Sequence, residues 1–171
     1  MARNVEIKAR LEDPDACTAR IAALGLCAGA TDFIQDDTFF RCQSGRLKLR
    51  ATPAGAAELI YYRRADRHGP KESFYVRTPT REPDSLRECL SLAYGEAGRV
   101  VKHRTVFIAG RTRIHLDRVE GLGHFLELEV VLDDGEGTEA GAREARELMD
   151  KLGIEPHQLI AEAYVDLLER R

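Results

Sequence analysis

The 171-residue sequence has no apolar run long enough to cross a bilayer. Its start lacks the apolar stretch of a secretory signal and enters a charged, strand-like segment almost at once. A cytoplasmic protein with no membrane partner is therefore expected. The four cysteines, Cys17, Cys27, Cys42 and Cys89, form no CxxC pair and no Cys/His zinc spacing, so they read as reduced thiols. There is no Walker-type phosphate loop, and Gly121-Leu122-Gly123 lacks the strand–turn–helix setting of a dinucleotide loop. Neither sign of charge dominates. With a net charge of -3, bulk attraction to nucleic acid is not expected, and any affinity for an anion has to come from local placement of Lys and Arg. Basic patches interleaved with aromatics are missing too, which argues against an RNA partner. No segment is low in complexity and none repeats with a solenoid period.

What the chain does contain is enough apolar material for a core. It is 43% hydrophobic and 32% charged, as expected for one folded domain over residues 1–171. Its commonest pattern is alternation. In Asn4-Val5-Glu6-Ile7-Lys8-Ala9-Arg10-Leu11 the polar and apolar residues fall on opposite faces of a strand, whose side chains repeat with period two. Similar strands are read at Phe33–Phe40, Arg46–Ala51, Glu58–Arg64, Ser73–Thr78, Val100–Ile108, Thr112–Val119 and His124–Leu132. Asp13-Pro14 reads as an N-cap and first position of a helix ending near Gly25. Pro83–Tyr94 reads as a short helix, Thr138 as the cap of a long helix closed by Gly153, and Pro156 as the start of a final helix. Hairpin-length links and the absence of β-α-β alternation predict an antiparallel α+β domain. Its sheet either curls into a barrel or lies flat with one wet face.

The polar faces carry both signs of charge. Lys102 and Arg104 share one face, as do Arg113, His115 and Asp117, and also Glu127 and Glu129. At about 6–7 Å and an effective dielectric near 20, the two glutamates repel by about 2–3 kcal/mol. On a wet face water screens that repulsion; in an enclosed space a divalent cation between them relieves it. Mg²⁺ and Mn²⁺ take oxygen ligands, often one or two carboxylates plus substrate phosphates. Lys8, Lys48, Arg50, Arg64, Lys71, Lys102 and Arg104 would then neutralise a triphosphate, the arginines as planar forks and the lysines as point charges. Taken singly, such residues are ordinarily solvated surface charges. His115 reads as a hydrogen-bonded strand residue, Tyr164 as core, and Tyr62 and Phe39 as packing groups. Ser73 has no His/Asp partners for nucleophilic catalysis.

Read in order, the motifs resemble the CYTH family, also called triphosphate tunnel metalloenzymes. Its members include class IV adenylyl cyclases, thiamine triphosphatases and inorganic triphosphatases. Asn4-Val5-Glu6-Ile7-Lys8 is similar to the family's ExExK signature. The segments around Asp37–Phe40, Gly45–Arg50, Leu59–Arg64 and Val101–Arg104 follow in family order. The stretch from Asp117 to Glu129 is most similar to the class IV cyclase branch. The resemblance implies an eight-stranded antiparallel tunnel with flanking helices, often dimeric. It implies Mg²⁺ or Mn²⁺ held by Glu6, Glu127 and Glu129, with Asp117 at the metal or near the sugar. Phosphates would be gripped by Lys8, Lys48, Arg50, Arg64, Lys71, Lys102, Arg104 and Arg113, with Glu6, Lys8 and Glu127 at the reacting centre. The expected activity is conversion of ATP to cyclic AMP and pyrophosphate, with triphosphate hydrolysis or non-catalytic triphosphate binding as alternatives. One departure stands out: Asn4 occupies the place of the first glutamate, which removes a negative charge and leaves one metal or two open.

Overall fold

A computed structural model describes residues 2–171. Eight antiparallel strands close into a barrel: β1 (Ala2–Leu11), β2 (Thr31–Phe40), β3 (Arg46–Ala51), β4 (Ala57–Arg64), β5 (Lys71–Thr80), β6 (Glu96–Ala109), β7 (Thr112–Val119) and β8 (Gly123–Val131). Around the barrel the order is β1-β5-β4-β3-β2-β6-β7-β8, with β8 returning to β1. Four helices flank it: α1 (Pro14–Ala23), α2 (Pro83–Tyr94), α3 (Thr138–Leu152) and α4 (Tyr164–Glu169).

The alternation in β1 is resolved with the charged face inward. Val5, Ile7, Ala9 and Leu11 are buried on the outside of the barrel with Leu126, Leu128 and Val130 of β8. They are covered by Cys17 and Ile21 of α1 and by Ala145, Leu148, Met149 and Leu152 of α3. Each large apolar side chain buried there contributes roughly 1.5–3 kcal/mol. The hydrophobic layer thus lies between barrel and helices, and Glu6, Lys8, Glu127 and Glu129 turn into the barrel. This excludes the flat sheet with a wet face. Two glycines are required by the geometry. Gly45, at φ +67, turns β2 into β3, and a Cβ there would lie 2.7 Å from the Tyr62 carbonyl. Gly141 lets α3 approach the sheet, where a Cβ would meet Leu132 at 2.9 Å.

Local expectations were met at α1, where the Asp13 side chain accepts from the Ala16 amide and Pro14 opens the helix. Several strands run longer than their patterns predict; β6 extends over 14 residues. Two expectations are corrected. Gly137, not Thr138, occupies the N-cap of α3, with Thr138 as the first helical residue. The final helix is also broken, into a 3-10 turn at Pro156–Gln158 and the short α4. The residues between are held extended by tertiary bonds. Leu159 bridges to Ala9, the Ile160 amide donates to the Lys8 carbonyl, and the Ile160 and Glu162 carbonyls accept from the Lys71 and Lys8 ammonium groups. Buried ammonium groups need acceptors, and an extended segment exposes carbonyls that a helix would use internally.

Candidate active site

The barrel encloses a cavity of about 450 Å³. Eight cationic side chains and four carboxylates line it. Cross-strand register explains this convergence. Glu6 and Lys8 of β1 stand opposite Glu129 and Glu127 of β8, and those stand opposite Arg113 and His115 of β7. On the facing wall, Asp37 of β2 stands opposite Arg50 of β3.

Each carboxylate is met by cations. The Asp37 carboxylate accepts from Lys48 at 2.7 Å and from Arg50 at 2.7 and 2.8 Å. Arg64 donates to Glu6. Arg113 lies 2.7 Å from Glu129, and Lys8 lies 3.3 Å from Glu127. Arg104 is the hub. Its Nε and Nη2 donate to Asp117 at 2.6 Å, and Nη2 also donates to Glu127 at 2.6 Å. Tyr164 adds its hydroxyl to Asp117 at 3.0 Å, while Lys8 sits 3.7 Å from the centre of the Tyr164 ring.

These partners move the titrations. Burial alone would raise the Glu127 carboxyl, but Lys8 and Arg104 outweigh it and hold it well below the usual range. Burial, aided by Arg50 and opposed by Asp37, pulls the Lys48 ammonium down to about 7. At pH 8 Lys48 is then mostly neutral, and a bound polyphosphate would restore its charge. Calorimetry of tripolyphosphate binding at pH 8, in buffers of different ionisation enthalpy, is expected to show proton uptake that shrinks in Lys48→Met. Binding with no proton uptake would contradict this assignment.

Glu6, Lys8, Lys48, Arg50, Arg64, Lys102, Arg104, Arg113, Glu127 and Glu129 all line the cavity. Two residues stand apart. Lys71 is buried outside the lining, its ammonium bound to the carbonyls of Arg67 and Ile160. It anchors the C-terminal segment instead of lining the tunnel. Asp117 is 1% exposed and lies outside the cavity lining, its carboxylate taken up by Arg104 and Tyr164 with Lys102 at 3.6 Å. His115 differs from its expected role: its buried Nδ1 has no hydrogen-bond partner and faces Glu127 and Glu129. Asp37 and Tyr164 were missed as site residues. The signals for Asp37 were its place at the head of the family-like segment Asp37–Phe40 and on the same strand face as Gln35; Tyr164 gave none, because an aromatic in an apolar helix reads as core.

A closed antiparallel eight-stranded tunnel lined by interleaved acidic and basic side chains defines the class of protein. The chain belongs to the CYTH domain family, whose signature matches residues 2–164. It is 26% identical over 174 residues to the adenylate cyclase CyaB of Aeromonas hydrophila, covering 97% of this chain and 88% of that one. A protein of Pyrococcus horikoshii shares the fold with a TM-score of 0.85 at 22% identity, covering 96% of this chain and 98% of its own. A proposed adenylate cyclase from Vibrio parahaemolyticus does so with a TM-score of 0.76 at 20% identity, covering 97% of both chains. No helix among the described residues is long and apolar enough to cross a membrane.

Proposed function

We propose that the protein is a divalent-metal-dependent enzyme that binds an organic triphosphate in the tunnel and breaks its α–β phosphoanhydride bond, as an adenylyl cyclase does. The single observation that carries this is the ordering of chemistry along the cavity. Phe33, Val106 and the exposed Ile108 line one end, next to the β6–β7 turn. Across the ladder His115 stands opposite Val106 and Glu127, and Arg113 opposite Ile108 and Glu129, so the carboxylates begin beside this apolar end. Lys48, Lys102 and the buried Tyr164 lie towards the other end, beside the β7–β8 turn. A triphosphate entering tail first sets its organic group against the apolar rim and its α-phosphorus beside the carboxylates. Its β- and γ-phosphates then lie among the cations. Pyrophosphate is the fragment whose charge grows when the 3′-hydroxyl attacks the α-phosphorus, and Lys48, Arg50 and Lys102 are placed to stabilise it.

The residues present suit Mg²⁺ or Mn²⁺. Glu127 and Glu129 offer oxygens, Glu6 stands opposite Glu129 across the β1–β8 ladder, and the buried Asn4 Oδ1 and His115 Nδ1 lack partners. When bound, the cation supplies Lewis-acid polarisation of a phosphoryl oxygen. Lys8 and Arg104 keep Glu127 ionised, and Asp117 and Tyr164 hold Arg104 in orientation.

Hydrolysis of a terminal phosphoryl group is the second reading, favoured by a cationic lining that recognises phosphate without reference to a base. Incubation with ATP, thiamine triphosphate and tripolyphosphate, each with Mg²⁺ or Mn²⁺, separates the two. Cyclic AMP and pyrophosphate from ATP are expected. Orthophosphate without cyclic AMP would select hydrolysis, and tight binding without turnover would leave a binding module.

A further inference from the structure

His115, Glu127 and Glu129 place one donor atom each within 4.8 Å of one another. Two acidic residues side by side carry little meaning alone; the imidazole between them adds the information. His115 is 5% exposed, and its Nδ1 has no hydrogen-bond partner. That nitrogen lies 3.7 Å from Glu127 Oε2 and 3.8 Å from Glu129 Oε1, beyond hydrogen-bond reach of both. Arg113 holds the other Glu129 oxygen, Oε2, at 2.7 Å, so Oε1 is turned towards the imidazole. A buried ring nitrogen left without a partner is unfavourable by about 1–3 kcal/mol, and it persists where something else fills the coordination. If a simple ion pair were its purpose, the ring would have closed onto one carboxylate.

We propose that His115 Nδ1 is a metal ligand alongside Glu127 and Glu129, and that this nitrogen makes the site prefer Mn²⁺ over Mg²⁺. The proposal rests on the reading that the tunnel holds a divalent cation. Mg²⁺ demands oxygen ligands and gives up water reluctantly, whereas Mn²⁺, though it also takes oxygen ligands, opens the first-row transition series whose ions accept imidazole nitrogen. The composition of this donor set, two carboxylate oxygens and one nitrogen, therefore fixes the order of affinity without reference to the organic substrate.

The test is pulsed electron paramagnetic resonance of untagged protein loaded with Mn²⁺, paired with titrations of Mn²⁺ and Mg²⁺. The expected spectrum shows ¹⁴N modulation from a directly bound imidazole, absent in His115→Gln. Replacing groups that merely support a ligand weakens metal binding 10- to 100-fold, so His115→Gln is expected to weaken Mn²⁺ at least about tenfold. Mg²⁺ binding should change far less, narrowing the Mn²⁺/Mg²⁺ ratio. Bound Mn²⁺ without ¹⁴N coupling in the unaltered protein would overturn the proposal, and that result needs no variant to fold. An unchanged Mn²⁺/Mg²⁺ ratio in His115→Gln would overturn it equally. Failure of both ions to bind, with or without tripolyphosphate, would instead bring down the metal-dependent function and this proposal with it.

Discussion

Asp117→Ala is expected to destabilise the protein by about 3–5 kcal/mol, because it strands cations that are buried with it. Arg104 is 6% exposed and Lys102 3% exposed, so neither gains water when the carboxylate leaves. The Tyr164 hydroxyl loses its acceptor at the same time. For a domain of this size each kcal/mol moves Tm by roughly 2–4 °C, giving a fall of roughly 6–20 °C in calorimetry at pH 7. The pH dependence has a definite sign. Burial would raise the Asp117 carboxyl, but Arg104 and Lys102 outweigh it, so its folded-state value is depressed. Its stabilisation is present above the ordinary carboxylate range and is lost as pH falls towards the folded value. The alanine variant should therefore show a flatter acid limb of stability. A variant that melts within a degree or two of the parent but no longer binds divalent cations would show Asp117 to be a metal ligand after all.

Glu127→Gln is expected to lower turnover by about 10²–10³-fold with Mn²⁺ or Mg²⁺, the size of effect seen when one preorganised electrostatic contact to a transition state is removed. The amide keeps the shape of the side chain and an oxygen that accepts from Arg104, so Tm should move by only a few degrees. It removes the charge that balances Lys8 and Arg104 and that would hold the cation. Added metal should rescue part of the loss if weakened binding is its source. Turnover that survives this change within a factor of about three would remove Glu127 from the reacting centre and the cation with it.

The fold was legible because period-two alternation survives any surroundings: in β1 both faces are buried, one by helices and one by the tunnel, and charge alone marks the inner one. Hydrophobicity says that Val5 and Ile7 are covered, not on which side of a closed sheet they lie. The break before α4 was illegible for a related reason. Ile160 and Glu162 are extended to serve Lys71 and Lys8, residues 89 and 154 positions away, and no local propensity records that demand. In the site, residue type gave location more readily than role. Asp117 and Glu127 are both acidic and both on inward faces. Arg104 donates to both, but Asp117 takes two of its bonds and the Tyr164 hydroxyl outside the cavity lining, whereas Glu127 faces the cavity and an unpaired imidazole. Lys71 carries the same lesson with the opposite sign, since its charge is spent on two backbone carbonyls.

The most direct measurement is a crystal structure grown with Mn²⁺ and an ATP analogue that resists α–β cleavage. The triphosphate is expected inside the barrel, its β- and γ-phosphate oxygens within hydrogen-bond reach of Lys48, Arg50 and Lys102 and its nucleoside against Phe33 and Ile108. A triphosphate on the outer surface, or an empty barrel with Arg104 still bridging Asp117 and Glu127, would contradict it.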